Sequence, residues 1–198
     1  MSAWRKEQAR DRFFREAKRQ SYRARSAFKL LELNRRLRLV RRGDAVIDLG
    51  AAPGSWSQVL AELVGPGGRV VAADLSPIEP LAAVVTIQAD ICRPETAELI
   101  RAELGRPADA VVSDASPRIS GNRIADHAGS IALADCSLTI ARQLSRPGAS
   151  FAVKVFQGED FEAFVGRVGR AYRQARVVVP AATRRESRET YVCGLGLL

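Results

Sequence analysis

Histidine and cysteine are scarce in this sequence, which contains one histidine, His127, and three cysteines among 198 residues. The cysteines, at positions 92, 136 and 193, are far apart and form no Cys-x-x-Cys pair. Zinc sites and disulfide frameworks use more numerous and more closely spaced ligands. We therefore expect no metal site, no disulfide and three reduced thiols. His127 precedes an apolar helical pattern, so we expect a loop or helix-start residue, with contact to substrate as the alternative.

Long apolar runs are also missing, and none approaches the roughly 20 residues that span a membrane. The N-terminus is basic but lacks the apolar core and small-residue cleavage site of a signal peptide. Its acidic residues, Glu7, Asp11 and Glu16, argue against an acid-poor transit peptide. The sequence thus predicts a soluble, cytoplasmic protein with no membrane partner, and its length suits a single domain.

Acidic residues are few at the N-terminal end of the chain. Residues 1–42 contain 15 lysines and arginines against four acids, whereas the other 156 residues contain 16 against 18. The entire positive excess therefore lies in the first fifth of the sequence. Such clustering predicts an arm that binds a polyanion. The alternative is a basic helix that is simply solvated.

Strand-like apolar stretches alternate with helical patterns in the rest of the chain. The predicted strands are Ala45–Leu49, Arg69–Ala73, Val84–Gln88, Ala108–Ser113, Phe151–Val155, Arg176–Val179 and Tyr191–Gly194. The predicted helices are 3–20, Arg25–Leu37, Ser55–Val64, Glu95–Leu104, Asp126–Leu144 (with Pro147-Gly148 ending it) and Phe161–Tyr172. Repeated strand–helix units indicate an α/β fold with a buried, mostly parallel sheet. The last two strands have no helix between them, which predicts an antiparallel hairpin at the sheet edge.

A small-residue loop follows the first predicted strand and carries the strongest local signal. It reads Asp48-Leu49-Gly50-Ala51-Ala52-Pro53-Gly54-Ser55-Trp56. Glycine and alanine let a backbone approach a ligand, and the next helix begins with free amides. Asp74 ends the second strand, where it can accept bonds from ribose hydroxyls, and Asp90 follows the third, within reach of a base. Ligands of open α/β sheets bind at these strand ends.

Three acids at successive strand ends suit an adenosine that carries a positive sulfonium, as in S-adenosyl-L-methionine. The main rival is a nicotinamide dinucleotide, which needs Gly-x-Gly-x-x-Gly, whereas this loop has Gly50 and Gly54 in the pattern Gly-x-x-x-Gly. A pyrophosphate would also be repelled by Asp48. A phosphate-binding P-loop needs Gly-Lys-Ser/Thr, which is missing here.

Four further ionisable residues attract attention by their positions. Lys29 lies in the second basic helix, Asp114 follows the fourth strand, Lys154 lies inside an apolar strand and Glu189 precedes the last strand. A lysine within an apolar strand needs a carboxylate partner or a chemical role. Structural ion pairs are the alternative for each residue taken singly. Two lysines and two carboxylates at one sheet edge favour a catalytic cluster.

At these positions the chain resembles the FtsJ (RrmJ) family of RNA ribose 2′-O-methyltransferases. The resemblance runs from about Phe14 to the C-terminus. It is densest in the segments Tyr22 to Leu30, Asp48 to Gln58, Val153 to Gly158 and Ser187 to Glu189. It implies a Rossmann-like, S-adenosylmethionine-dependent methyltransferase fold, with a seven-stranded, mostly parallel sheet that has one antiparallel strand and helices on both faces.

The resemblance also implies roles for individual residues. The family's catalytic Lys-Asp-Lys-Glu tetrad matches Lys29, Asp114, Lys154 and Glu189, and its donor-binding positions match Gly54, Trp56, Asp74, Asp90 and Asp114. Asp48 and Gly50 join the donor site by the pattern above. Lys154 is the candidate that accepts the hydroxyl proton or stabilises the oxygen. RNA phosphates would be held by Arg23, Arg25, Arg35, Arg36 and Arg38, together with Lys29 and the preceding helix.

The implied function is 2′-O-methylation of a ribose, that of a uridine, in large-subunit (23S-type) ribosomal RNA, by one domain spanning 1–198. Residues 1–42 would form its basic helical RNA-binding extension. A monomer that acts on ribosomal RNA or the large subunit is the expectation. The alternatives are a tRNA ribose methyltransferase and a non-catalytic RNA-binding assembly factor. One departure is Arg118, where the family commonly has asparagine, so the loop after Asp114 is expected to grip RNA differently.

Overall fold

The computed structural model describes residues 12–184 and 187–198. The helices are α1 (Arg12–Arg19), α2 (Ala27–Leu37), α3 (Ser55–Val64), α4 (Pro94–Leu104), α5 (Arg123–Leu144) and α6 (Phe161–Ala171). The strands are β1 (Ala45–Leu49), β2 (Arg69–Asp74), β3 (Val84–Gln88), β4 (Ala108–Ser113), β5 (Ser145–Phe156), β6 (Tyr172–Val178) and β7 (Glu189–Leu197).

The seven strands form one sheet in the order β3-β2-β1-β4-β5-β7-β6. β1 to β5 run parallel, and β7 runs antiparallel to both of its neighbours. β2 and β3 are added on one side of β1, whereas β4 and the later strands are added on its other side. A crevice therefore opens between the carboxyl ends of β1 and β4, at the centre of the sheet. The predicted α/β sheet with one antiparallel strand, and the C-terminal hairpin at its edge, are therefore confirmed.

Helices cover both faces of the sheet because its strands are apolar on both sides. Along β1, Val46 packs with α2 and α3, whereas its neighbour Ile47 packs with α4, α5 and α6. Successive side chains on a strand point to opposite faces. Every residue of β1 is buried. The strand ends that carry the predicted site are therefore fixed by packing on both sides.

The second helix belongs to this body rather than to a separate arm. Leu30 and Leu33 of α2, and Leu39 just beyond it, are buried in the core face that Trp56 and Val59 of α3 also occupy. The part of the expected extension 1–42 that α2 forms is thus packed on the sheet, because the amphipathic pattern of α2 buries its apolar side. The shorter α1 rests on α2 through a Phe13–Phe28 ring contact at 5.7 Å, and residues 1–11 lie outside the described part of the chain.

Most predicted element bounds agree with the structure to within two residues, but β5 begins earlier than expected. Helix α5 ends at Leu144 and the strand starts at once at Ser145, so Pro147-Gly148 lies inside it. The pairing with β4 shifts register between Ala108 and Ala110. Proline has no N–H to donate to a neighbouring strand, so it is tolerated where the pairing is irregular in this way. β6 starts four residues before its predicted position, and β7 starts two residues before and ends three residues after its predicted bounds.

The cysteines differ from the expectation of three reduced thiols. Cys92 and Cys136 form a disulfide across 44 residues of sequence, which joins the segment after β3 to α5. Their pairing depends on how α5 packs beside the sheet, which cysteine spacing alone does not reveal. Cys193 is a free, buried thiol, and burial raises its pKa to about 12, so it is chemically inert.

Candidate active site

A cleft with a volume of about 290 Å³ opens at the carboxyl ends of β1, β2 and β4. Three of the predicted acids lie along it: Asp74, Asp90 and Asp114. Its remaining lining residues are Gly50, Ala52, Leu75, Ser76, Ile91, Ala115, Ser116 and Leu133. The topology brings these residues together because parallel strands end at the same edge of the sheet.

The carboxylates of Asp74 and Asp90 are held in place by backbone amides. Asp74 accepts hydrogen bonds from the amides of Ala52, at 3.0 Å, and Ser76, at 2.7 Å. Asp90 accepts one from the amide of Cys92 at 2.9 Å. Each carboxylate oxygen has a further lone pair for a ligand. Both side chains are thus pre-oriented acceptors for hydroxyl or amino groups.

Apolar side chains line the same cleft beside these acceptors. Leu75, immediately after Asp74, is 66% exposed, and Ile91 follows Asp90. An apolar wall beside two acceptors suits the flat base and hydroxyls of a nucleoside. The excess of carboxylates favours a ligand with positive charge. The residues present therefore fit S-adenosylmethionine, a nucleoside that carries a positive charge, and Asp74, Asp90 and Asp114 are the residues that could hold it.

The structure requires glycine at two positions of the loop, whether or not a ligand approaches its backbone. Gly50 has a φ of +67°, and a Cβ there would lie 2.5 Å from Cα of Ala115. Gly54 has a φ of +104° and packs against the guanidinium of Arg23. The Trp56 side chain is buried in the core and donates to the carbonyl of Ser26 at 2.9 Å. Gly54 and Trp56 can therefore contribute to donor binding only through the main chain at the start of α3.

Asp48 lies beneath the cleft rather than in its lining and is fully buried. One carboxylate oxygen accepts from the hydroxyl of Ser57 at 2.6 Å, and the other, Oδ1, has no hydrogen-bond partner. Burial, and to a lesser extent the nearby Asp114 and Asp74, raise its pKa to about 7. An unpaired buried carboxylate this close to the cleft makes a cationic ligand favourable there.

We expect the stability of the free protein to fall as the pH rises from about 4 to about 7. The raised pKa means that the folded protein holds the Asp48 proton more tightly than the unfolded chain does. Ionisation then costs up to about 4 kcal/mol of the free energy of unfolding above that range. The variant Asp48→Asn should lack this component. Urea unfolding of both proteins at pH 5 and pH 8 measures it, and equal pH dependence in the two would contradict it.

The four residues of the predicted tetrad lie together beside the cleft. Lys154 Nζ donates to the backbone carbonyl of Asp114 at 2.7 Å and lies 3.2 Å from its Oδ1. Lys29 Nζ contacts Glu189 Oε2 at 2.6 Å. Both lysines are more than 90% buried. The structure thus groups them into two ion pairs, one on each side of the site.

A tyrosine that the sequence did not single out connects these two ion pairs. Tyr191 donates its hydroxyl to Asp114 Oδ1 at 2.6 Å, and Lys29 Nζ lies 5.8 Å from the centre of its ring. Strand register places it there, because Tyr191 pairs with Lys154 across β5 and β7. Burial and Asp114 keep its pKa well above the ordinary value, so the hydroxyl stays protonated. The only available sequence signal was its position two residues after Glu189.

A second cleft, of about 340 Å³, lies on the other side of the tetrad. It is lined by Arg25, Lys29, Arg184, Ser187 and Glu189. Three cations against one carboxylate make it attractive to a phosphate chain. Asp114 lines the first cleft whereas Lys29 and Glu189 line the second, so the tetrad stands between a nucleoside-sized site and a basic one.

The five predicted RNA-binding arginines separate into three groups. Arg23 is a structural residue, because its guanidinium donates to the carbonyls of Pro53, Glu79 and Pro80 and so ties three loop positions together. Its predicted contact with RNA stays a prediction, and its guanidinium is already engaged within the protein. Arg25 donates to the carbonyl of Ala182 while still lining the basic cleft. The exposed group at the end of α2 is Arg35, Arg36 and Arg38.

His127 is buried in the second turn of α5 and holds the end of β5 in place. Its Nε2 accepts from the amide of Asp160 at 3.0 Å, so its Nδ1 carries the proton and donates to the carbonyl of Phe156 at 2.9 Å. Ser130, one turn later, accepts from the amide of Phe156 at 3.1 Å. Of the two expectations for His127, the structural one is therefore correct, and contact with substrate is not.

Comparison with known proteins identifies the family. The FtsJ-like methyltransferase model matches residues 22–197. The chain belongs to the FtsJ-like methyltransferase family. It is thus an enzyme. This methyltransferase is 51% identical to ribosomal RNA large subunit methyltransferase E of Methanothrix thermoacetophila, over 96% of this chain and 73% of that protein.

Two further relatives extend the comparison. The methyltransferase is 47% identical to the protein of the same name from Archaeoglobus fulgidus, over 93% of this chain and 94% of that one. Its fold matches the crystal structure of a ribosomal RNA methyltransferase from Plasmodium falciparum with a TM-score of 0.79 and 26% identity, over 89% of this chain and 99% of that chain. Among the described residues of the methyltransferase, no helix is both long and apolar enough to cross a bilayer.

Proposed function

We propose that this methyltransferase transfers a methyl group from S-adenosylmethionine to the 2′-hydroxyl of a uridine ribose in large-subunit ribosomal RNA, acting as a monomer in the cytoplasm. The observation that carries the proposal is the placement of the Lys29, Asp114, Lys154 and Glu189 tetrad between the acidic, nucleoside-sized cleft and the basic one. The names of the relatives support ribosomal RNA as the substrate. The cytoplasmic setting no longer has the support of three free thiols, since two of the cysteines are paired.

S-adenosylmethionine, when bound, supplies an electrophilic methyl group on a positively charged sulfur. The protein's task is then mainly to place the acceptor oxygen, because positioning provides much of the rate of such a transfer. Asp74 and Asp90 hold the nucleoside end of the donor, through acceptors that the backbone already orients. Asp114 stands where this cleft meets the tetrad.

Lys154 acts on the acceptor hydroxyl. An ammonium group has three N–H donors, and two of those on Nζ face the carbonyl and carboxylate of Asp114. The third is available to the ribose oxygen, where it orients the hydroxyl and stabilises the negative charge that develops as the proton leaves. If Lys154 is neutral, its nitrogen accepts the proton of the hydroxyl. If Lys154 is charged, the proton of the hydroxyl passes to water instead. The pH dependence of the transfer rate separates the two routes.

Lys29, Glu189 and Tyr191 fix the geometry around this nitrogen. Tyr191 donates to the same carboxylate oxygen that faces Lys154, so Asp114 is held from two sides. The Lys29–Glu189 pair lines the basic cleft, where the ribose and its phosphates would enter. The 2′-hydroxyl separates RNA from DNA at such a site.

The proposal is tested by transfer of labelled methyl from S-adenosylmethionine to three substrates in parallel. These are unmodified large ribosomal subunits, their naked ribosomal RNA, and tRNA. We expect label on the subunits or their RNA, stable to alkali as a 2′-O-methyl nucleotide is. Label on tRNA alone would show that tRNA, and not ribosomal RNA, is the substrate. Donor binding with no transfer to any RNA would favour a non-catalytic assembly factor.

A further inference from the structure

The segment 117–124, which we name the hook, connects the end of β4 to the first residues of α5. It presents two isoleucines to solvent, Ile119 at 61% exposure and Ile124 at 81%. An exposed arginine directly precedes each of them, Arg118 before Ile119 and Arg123 before Ile124. Single exposed apolar residues are common on protein surfaces. Here two lie within six residues of one short segment, and each has an exposed arginine as its neighbour in the sequence.

The hook is built to hold one shape. The buried carboxylate of Asp126 accepts from the amide and the hydroxyl of Ser120, each at 2.8 Å, and from the amide of Gly121 at 3.3 Å. These hydrogen bonds hold the pKa of Asp126 below its usual range, so the carboxylate stays charged and bonded. Asn122 caps α5 by accepting from the amides of Ile124 and Ala125. The two isoleucines therefore extend from a preformed turn.

The hook lies beside the tetrad. It begins three residues after Asp114, and the intervening Ala115 and Ser116 line the donor cleft. At its other end, the positive charge of Arg188 acts on Asp126. Arg188 precedes Glu189, so the hook also borders the strand that completes the basic cleft. Because its two ends lie near Asp114 and Arg188, we expect an RNA whose ribose reaches Lys154 to pass next to the hook.

Reaching Lys154 is difficult for a nucleotide in folded RNA, because the lysine is only 6% exposed. The target must leave its stack, which costs a few kcal/mol. Proteins that open stacked nucleic acid insert apolar side chains between bases while arginine or lysine holds the backbone. Phosphate binding alone requires no isoleucine. The combination of apolar tips and basic flanks therefore fits stacked RNA better than a bare phosphate chain.

From these observations we infer that the hook is a wedge: Ile119 and Ile124 insert against the bases beside the target nucleotide and unstack it, while Arg118 and Arg123 hold its phosphates. This inference rests on the proposed function, since it needs an RNA acceptor at the tetrad. It gives a role to Arg118, the position where this sequence departs from the pattern that its family commonly shows.

The test compares the double variant Ile119→Ala/Ile124→Ala with the wild type on two RNAs. One is a hairpin from the large-subunit RNA that contains the methylated nucleotide, and the other has the same target strand with the opposing strand scrambled, so that the target is unpaired. We expect kcat/KM to fall at least tenfold on the hairpin and less than about threefold on the unpaired RNA, since the unstacking cost applies mainly to the former. A 2-aminopurine base beside the target should lose its fluorescence increase on binding the variant.

Leu99→Ala on α4 is the matched control, since Leu99 is another exposed apolar residue, at 51%, away from the site. It should leave both rates unchanged. Equal losses on the two RNAs, or none, would overturn the wedge. A fall in kcat/KM that appears with assembled subunits but with neither RNA would also overturn the wedge. It would indicate that the hook contacts a ribosomal protein. Failure of the wild type to methylate these RNAs, the large subunits and their full-length RNA would instead reject the proposed function.

Discussion

Replacing Lys154 with alanine is expected to slow methyl transfer about a thousandfold, with donor affinity changed less than about threefold. The nitrogen lost is the one that contacts both the carbonyl and the carboxylate of Asp114 and has a donor left for the acceptor oxygen. Asp74 and Asp90, which we propose to hold the donor, keep their backbone partners in this variant. Single-turnover transfer rates and calorimetric titration with S-adenosylmethionine measure the two quantities separately.

Two further substitutions at Lys154 distinguish chemistry from folding. Lys154→Met keeps the length of the side chain and removes its charge, and should be as slow as the alanine variant. Lys154→Arg keeps the charge with a different geometry, and should recover some of the rate only if the residue acts as a cation. Thermal unfolding checks that Asp114, left without its partner, does not unfold the site. Wild-type turnover in a folded Lys154→Ala protein would refute the assignment.

Asp74→Ala should weaken the binding of S-adenosylmethionine about a hundredfold. The carboxylate would accept hydroxyl hydrogen bonds from the donor's ribose, and bonds to a charged acceptor are worth about 1.5–3 kcal/mol each. The variant also releases the amides of Ala52 and Ser76, so the loop that lines the cleft loses its support. Titration with S-adenosylmethionine and its demethylated product gives both dissociation constants.

Asp135→Ala is the control for this loss of one negative charge. Asp135 is a carboxylate on α5 whose partner is Arg167, and it lies outside the lining of the donor cleft. Its replacement should leave the donor's dissociation constant unchanged. If the Asp74→Ala protein binds the donor as tightly as the wild type, the donor binds elsewhere. The proposed role of Asp90 would then also be rejected.

The parts of this molecule that sequence predicted well are governed by local pattern. The apolar runs that became β1 and β4 have their observed bounds, because a strand buried on both faces reads as a continuous apolar segment. The acids that follow strands could be expected at one edge because parallel strands end together. The tetrad was named from resemblance together with the anomaly of Lys154 in an apolar strand.

The parts that were missed depend on contacts between distant segments. Arg23 looked like a phosphate ligand, but its acceptors are carbonyls about 30 to 57 residues away. The Cys92–Cys136 disulfide depends on helix placement, and the role of Tyr191 on the register of an antiparallel pair. None of these leaves a mark in spacing or composition. Hydrogen-bonding groups with several possible partners are poorly determined until the fold is known.

Helix α5 connects all the parts of the site to one element. Its N-terminal cap shapes the hook, His127 and Ser130 hold the strand that carries Lys154, and Cys136 is joined to the segment after Asp90. A helix of 22 residues is a stiff rod about 33 Å long. His127 and Ser130 share the partner Phe156, so the effects of replacing both on transfer should not add, whereas substitutions far apart along the helix should add. Evolutionary change of substrate would then proceed most easily through the hook's exposed tips, which can vary without moving the rod.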